Sequence, residues 1–191
     1  MLQIINTNYR RICFIGGPSA GKSTMSAELF AYWKRQDGGT VEQVREYVKN
    51  WAWEGKQPVG YDQIYLLGKQ MYSEDRLLRN NVSTIISDSP LILSYIYSLY
   101  SLVNRSNELS SAILNIVKDF DKSYRPLHVI VNRGEKKYDT AGRFQDATSA
   151  FYLDSKIENT LKEYYPAKDI IHIDYNDPNA ISYVYNYSKS N

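Results

Sequence analysis

Residues Arg10–Thr24 read RRICFIGGPSAGKST, and the fold turns on that stretch. The apolar run Ile12–Ile15 has the character of a buried strand and delivers the chain into Gly16. From there Gly16-x4-Gly21-Lys22-Ser23 fits the phosphate-binding loop pattern, with four fixed residue types in one window. Each type has a physical job. Glycine backbones let N–H groups turn inward around phosphate oxygens, Lys22 adds a mobile positive charge, and Ser23 offers a hydroxyl to Mg²⁺. The segment that follows, SAELFAYWKRQ, is rich in helix formers. The strand–loop–helix setting that the motif requires is therefore present, and the helix points its positive end at the same anion. Gly16, Gly17, Pro18, Ser19, Ala20, Gly21, Lys22, Ser23 and Thr24 become the candidate nucleotide-binding residues.

Outward from this loop, Asp37-Gly38-Gly39 marks a turn, and Thr40–Val44 reads as a second strand. The polar stretch Glu54–Pro58 breaks the chain. Apolar residues at Ile64, Leu67, Met71, Leu77 and Leu78 then predict a helix over Tyr61–Arg79. Val82–Ser87 reads as a buried strand bounded by Asp88-Ser89-Pro90, and Leu91–Val103 as a helix packed on the sheet. Asn104–Ser111 reads as a polar break and Ala112–Phe120 as a short helix. His128–Val131 and Ile170–Ile173 are two further strands, with a helix over Phe151–Tyr164 between them. Strands alternating with helices predict a three-layer α/β fold of the P-loop NTPase type, with a central parallel sheet of about five strands. The expectation is one domain over residues 1–191. The pattern leaves 180–191 unassigned.

Composition narrows the class. The 191 residues are 43% hydrophobic and 23% charged, ordinary for a globular chain with a well-buried core. A net charge of +2 is too small to demand nucleic acid as partner, although a local basic patch remains open. The single cysteine, Cys13, excludes an internal disulfide and sits in the apolar run, where a buried reduced thiol is expected. With no long apolar span and no signal-peptide core in MLQIINTNYRR, the expected location is cytoplasmic.

Asp88 is the second anchor of the chemistry. Ligands of open parallel sheets bind outside the carboxyl ends of strands, so a carboxylate ending a strand should face the Gly16–Ser23 loop. There it can hold Mg²⁺ or accept a proton from an attacking hydroxyl; it also suits capping of a helix that starts at Pro90. Glu42, Arg45 and Glu46, in the segment ending the second strand, are candidates for binding an acceptor, with a glutamate as base and Arg45 on an anion. In Asn132–Gln145, NRGEKKYDTAGRFQ, Arg133, Lys136, Lys137 and Arg143 lie in a glycine-containing stretch without apolar periodicity. That pattern predicts a lid, about 133–145, closing over phosphates. His128 and His172 stand apart from any second His or Cys cluster and read as structural. Trp33 reads as core or rim packing, while Trp51 and Trp53, following the charged loop, are open to stacking on a base.

On these residues the chain resembles the P-loop small-molecule kinases, most closely the ribosylnicotinamide-kinase domain of the NadR family and its phage-type AAA-like relatives. The family's Glu-x-x-x-Arg-Glu-aromatic run is matched by Val41–Tyr47 with one spacing relaxed, and its Gln-rich helix by Gln63 and Gln70. Its Asp-Thr-Asp is similar to Asp88-Ser89-Pro90, without the second acid, and its basic lid to Asp139–Arg143. Asp88 with Ser94 and Tyr97 also resembles, more remotely, the thymidylate-kinase pattern, with Ser89 where that pattern has arginine.

The resemblance implies a kinase that uses ATP and Mg²⁺. Lys22, Asp88 and Arg143 would be catalytic, Ser23 and Asp88 would hold the metal, and Glu42, Arg45, Glu46 and Gln63 would bind the acceptor. The acceptor implied is a nucleoside, a nucleotide or a similar small molecule, and a homo-oligomer is compatible with this class. Two rivals share the motif: a kinase acting on a hydroxymethylated base or a 5′ end in DNA, and an ATPase or nucleotide-dependent switch with no acceptor.

Overall fold

A computed structural model describes residues 9–36, 39–100, 107–134 and 147–190. Five parallel strands form one sheet: β1 (Arg11–Ile15), β2 (Val41–Val44), β3 (Thr84–Ser87), β4 (Pro126–Asn132) and β5 (Ile170–Asp174), in the order β2-β3-β1-β4-β5. Helices α1 (Lys22–Lys34), α2 (Lys49–Trp53), α3 (Asp62–Arg79), α4 (Ile92–Tyr100), α5 (Asn107–Ser123), α6 (Ala147–Tyr164) and α7 (Ala180–Ser190) complete the α/β architecture. This is the three-layer α/β architecture with a parallel sheet of five strands that the alternation of strands and helices predicts.

The pleat of β1 explains the layering. Ile12 and Phe14 point to one face, where they join Met25, Leu29 and Trp33 of α1 and Ala180 and Val184 of α7 in a single buried cluster. Ile15 points to the other face, where it packs with Leu67 of α3, Ile96 of α4, Ile113 and Val117 of α5 and Ile157 and Leu161 of α6. Successive side chains of a strand alternate between faces, so a run that is apolar throughout is buried on both.

One residue breaks that rule. Arg11 is 1% exposed inside β1, and its guanidinium donates to Glu74 of α3 at 2.8 Å, to Asp121 of α5 and to the Tyr124 carbonyl at 3.1 Å. Burial alone would strip the proton from this arginine more easily, but Glu74 and Asp121 outweigh it and hold its pKa above the usual value. Burial pushes the pKa of Glu74 up, against the pull of Arg11. The cluster bolts two helices of the same layer to the central strand.

Three element assignments change. Residues 107–111, read as a polar break, are the start of α5, because Ser110 turns inward to accept from Ser98 Oγ of α4 at 2.9 Å. The unassigned tail is α7, whose Ala180, Val184 and Ser188 line one buried face. The short helix α2 falls in a stretch left without an element. The Asp37-Gly38 part of the predicted turn lies outside the described residues. Cys13 is buried, as expected, and burial raises its pKa well above that of a reactive thiol. No described helix is long and apolar enough to cross a membrane.

Candidate active site

Residues 16–20 form a buried loop between β1 and α1. The loop closes on itself through the Ala20 N–H to the Gly17 carbonyl at 3.3 Å, and Ser19 adopts a left-handed φ of 64°. Gly21 caps α1 with φ 101° and no side-chain hydrogen bond. Gly21 has no side chain to offer the first amides of α1, and a helix start capped in this way suits an anion. Lys22 folds back so that its ammonium donates to the Gly16 and Gly17 carbonyls, each at 2.9 Å. Its charge stays beside the loop. A Cβ on Gly21 would lie 2.2 Å from Cδ2 of Tyr175, the residue after β5, so the end of β5 presses directly on the loop.

Sheet order then brings Asp88 alongside. β3 is the neighbour of β1, with Cys13 opposite Ser87, so the residue that follows β3 leaves the sheet beside the chain entering the loop. Asp88 is 3% exposed, and its Oδ1 accepts the Glu46 N–H at 2.8 Å. This contact ties the loop after β2 to the end of β3. Helix α4 begins only at Ile92, and the described hydrogen bond of Asp88 goes to Glu46 rather than to a cap at Pro90. On the same rim, Gln70 of α3 donates to Ser87 Oγ at 3.2 Å.

The acceptor candidates divide. Glu46 is at the site through its backbone, and Arg45 beside it is exposed. Gln63 is buried in the first turn of α3. Glu42 is not brought there: it lies within β2, and its half-exposed carboxylate pairs with Lys34 at the far end of α1, at 3.3 Å. Within a parallel βα unit the end of the helix returns to the amino edge of the sheet, away from the ligand edge. Ser23 stands in the first turn of α1, and Thr24 next to it is exposed.

Of the basic stretch after β4, Arg133 and Gly134 are described; Lys136, Lys137 and Arg143, and with them most of the expected lid, lie outside the described residues. Arg133 is not a surface cation. It is 8% exposed, donating to the Pro18 carbonyl at 2.9 Å and to Asp154 Oδ2 of α6 at 2.5 Å. Asp154 also accepts the Gly17 N–H, at 2.5 Å. Arg133 and Asp154 together clamp the loop from β4 and α6. Asp154 escapes a sequence reading because nothing in its own helical neighbourhood distinguishes it from a solvated acid.

Of the two histidines, His128 is buried on β4 with neither ring nitrogen hydrogen-bonded among the described residues, and its ring meets Tyr165 edge-on at 4.3 Å. His172 on β5 is exposed. No group of three or more His, Cys, Asp or Glu suited to a metal exists among the described residues. Trp33 is fully buried, Trp51 stacks on Tyr65 at 5.8 Å, and Trp53 is 69% exposed.

Comparison with solved structures agrees with this architecture. Deoxyadenosine kinase from M. mycoides with bound dATP superposes with a TM-score of 0.58 at 18% identity, covering 94% of this chain and 99% of that one. Thymidylate kinase from Ehrlichia chaffeensis gives 0.60 at 16%, covering 91% and 92%. Thymidylate kinase from Candida albicans gives 0.62 at 12%, covering 95% and 94%. At such identities the likeness is one of fold. A search of curated proteins by sequence finds no match. A family model described as AAA domain matches residues 11–176.

Proposed function

We propose that this chain, which belongs to the AAA domain family AAA_28, is an ATP-dependent phosphotransferase that moves the γ-phosphate to a nucleoside, nucleotide or similar small acceptor. The observation that carries the reading is the pairing of β3 with β1, which sets Asp88 beside a phosphate loop already holding its lysine. Loop amides and the start of α1 would bind the β- and γ-phosphates, and Lys22 would swing from the Gly16 and Gly17 carbonyls onto them. Asp88, fixed by the Glu46 N–H, would orient the acceptor hydroxyl or take its proton. Arg143 is assigned to charge neutralisation on its sequence alone.

The oxygen donors present suit Mg²⁺, a hard cation that prefers carboxylate, hydroxyl and water ligands. Ser23 and Asp88 would hold it, and when bound it would neutralise phosphate charge. We further propose that residues 1–191 act as one domain. Thymidine, deoxyadenosine, their monophosphates and ribosylnicotinamide form the acceptor panel, chosen from the structural neighbours and the resemblance of the sequence.

The test is transfer of label from γ-labelled ATP to a member of that panel. Transfer is expected from the wild type, and none from a folded Lys22→Ala variant. Labelled inorganic phosphate as the sole product would replace a kinase with an ATPase.

A further inference from the structure

Helix α3 carries an exposed line that its role in the core does not explain. Tyr61 at its cap, then Tyr65, Lys69, Tyr72 and Arg76, recur at helical spacing on the solvent side, opposite the buried Gln63, Leu67, Gln70 and Glu74. Tyr61 and Tyr72 are 65% and 61% exposed. Gly68 lies between them, and a Cβ there would meet nothing within 4 Å, so the line is open to solvent at its middle.

Cations accompany the rings: Lys69 lies 5.5 Å from the Tyr65 ring and Lys56 3.8 Å from the Trp51 ring stacked on it. The carboxylates of α3 are engaged elsewhere. Asp62 accepts the Val59 N–H at 3.0 Å, Glu74 is buried against Arg11, and Asp75 pairs with Arg79 at 2.7 Å.

We propose that this line is a binding surface for single-stranded nucleic acid. Aromatic rings interspersed with cations match what a single strand presents, bases with flat faces and a phosphate on every residue. Lys56 and Lys69, of a type depleted from protein interfaces, add the charge that a phosphate backbone takes. From Tyr61 to Arg76 the line runs about 22 Å, long enough for several nucleotides. Its upper end meets the active site. Tyr65 and Tyr47 share a hydroxyl–hydroxyl hydrogen bond of 2.9 Å, and Tyr47 follows Glu46, the residue that holds Asp88. A strand lying on α3 would thus present one end or one base to Asp88. That last step rests on the kinase reading; the binding itself does not.

The measurement is fluorescence anisotropy of a labelled oligodeoxythymidine of about twelve nucleotides across a salt series. Binding is expected to weaken with salt at a logarithmic slope of about −2, for Lys56, Lys69 and Arg76. Tyr61→Ala with Tyr72→Ala should weaken it on the order of tenfold or more, and Lys69→Gln should flatten the slope by about 0.7. Both tyrosines are exposed, and unchanged melting temperatures would confirm that the variants fold. Lys22→Ala should bind the oligonucleotide like the wild type, so loss of kinase activity and loss of this surface are separately visible.

Absence of binding at low salt overturns the proposal, as does binding indifferent to these substitutions. So does competition by thymidine monophosphate at equal nucleotide concentration, which would reduce the surface to an acceptor pocket. Concentration-dependent self-association abolished by the tyrosine substitutions would make it a protein interface instead.

Discussion

Among the described residues the Asp88 carboxylate is held by a backbone N–H, which makes its charge separable from its structural contact. Asp88→Asn keeps an oxygen for the Glu46 N–H and removes the charge and the basicity. Phosphoryl transfer should fall by about a hundredfold or more, while the melting temperature moves by only a few degrees, on the order of a lost increment of 0.5–1 kcal/mol. A large loss of stability with turnover intact would assign Asp88 to structure. Gly21 is the converse case. Its φ of 101° and the Tyr175 ring 2.2 Å from an added Cβ mean that Gly21→Ala forces both the backbone and the ring to move. That should destabilise the fold by about 1–3 kcal/mol and weaken nucleotide binding in a titration with an ATP analogue.

The positions of Gly21, Lys22 and Asp88 just past strand ends were readable because that spacing is local. Asp154 and the clamp it forms with Arg133 were not, since the Gly17 N–H it accepts from is set by the placement of α6. That Glu42 turns to Lys34 was not readable either, for a related reason. One residue of strand phase decides which face of the sheet a side chain serves, and the segment's charges do not encode it.

Among the elements, strands β1, β3, β4 and β5 were readable from apolar runs too short and too branched for helices. Start signals of helices were weaker: α5 begins in serine and asparagine, and α7 alternates tyrosine with polar residues, so burial rather than composition decides both. The bolt through Arg11 was invisible in the sequence, where an arginine opening an apolar run looks like a flank. Arg11→Met leaves Glu74 buried without its partner, and should cost about 3–5 kcal/mol. The double variant Arg11→Met with Glu74→Leu should recover part of this loss, because it removes the fully buried carboxylate and leaves Asp121, which keeps the Tyr165 hydroxyl. Urea unfolding of the two variants checks both statements; a double variant no more stable than the single would remove Glu74 from the account.

For the whole molecule, His128 makes stability depend on pH. Burial, with the nearby charge of Arg11 adding to it, pushes its pKa down to about 3, whereas in the unfolded chain it stays near 6.5. Below pH ~6.5 the unfolded state binds a proton that the folded state refuses, so this contribution to stability falls as the pH drops, by up to about 1.4 kcal/mol per pH unit. It is insensitive to pH above that range. Between pH 7 and 5 the wild type should therefore lose about 2 kcal/mol more than His128→Phe in denaturant unfolding, since phenylalanine can keep the packing against Tyr165 and has no proton to take. Equal slopes would place the pH dependence elsewhere.

The strand order also has a consequence in time. Among the described strands β1 comes first along the chain and is the central one in the sheet, and its two neighbours, beginning at Thr84 and Pro126, come much later. At synthesis rates of about 5–20 residues per second, the nascent chain carries RICFI without its second neighbour for roughly 6 to 23 seconds. A short, apolar, β-branched run in that position is an opening for pairing with the wrong strand. Arg11 stands at its first position, and the charge that later fastens two helices is, during those seconds, a deterrent to such pairing.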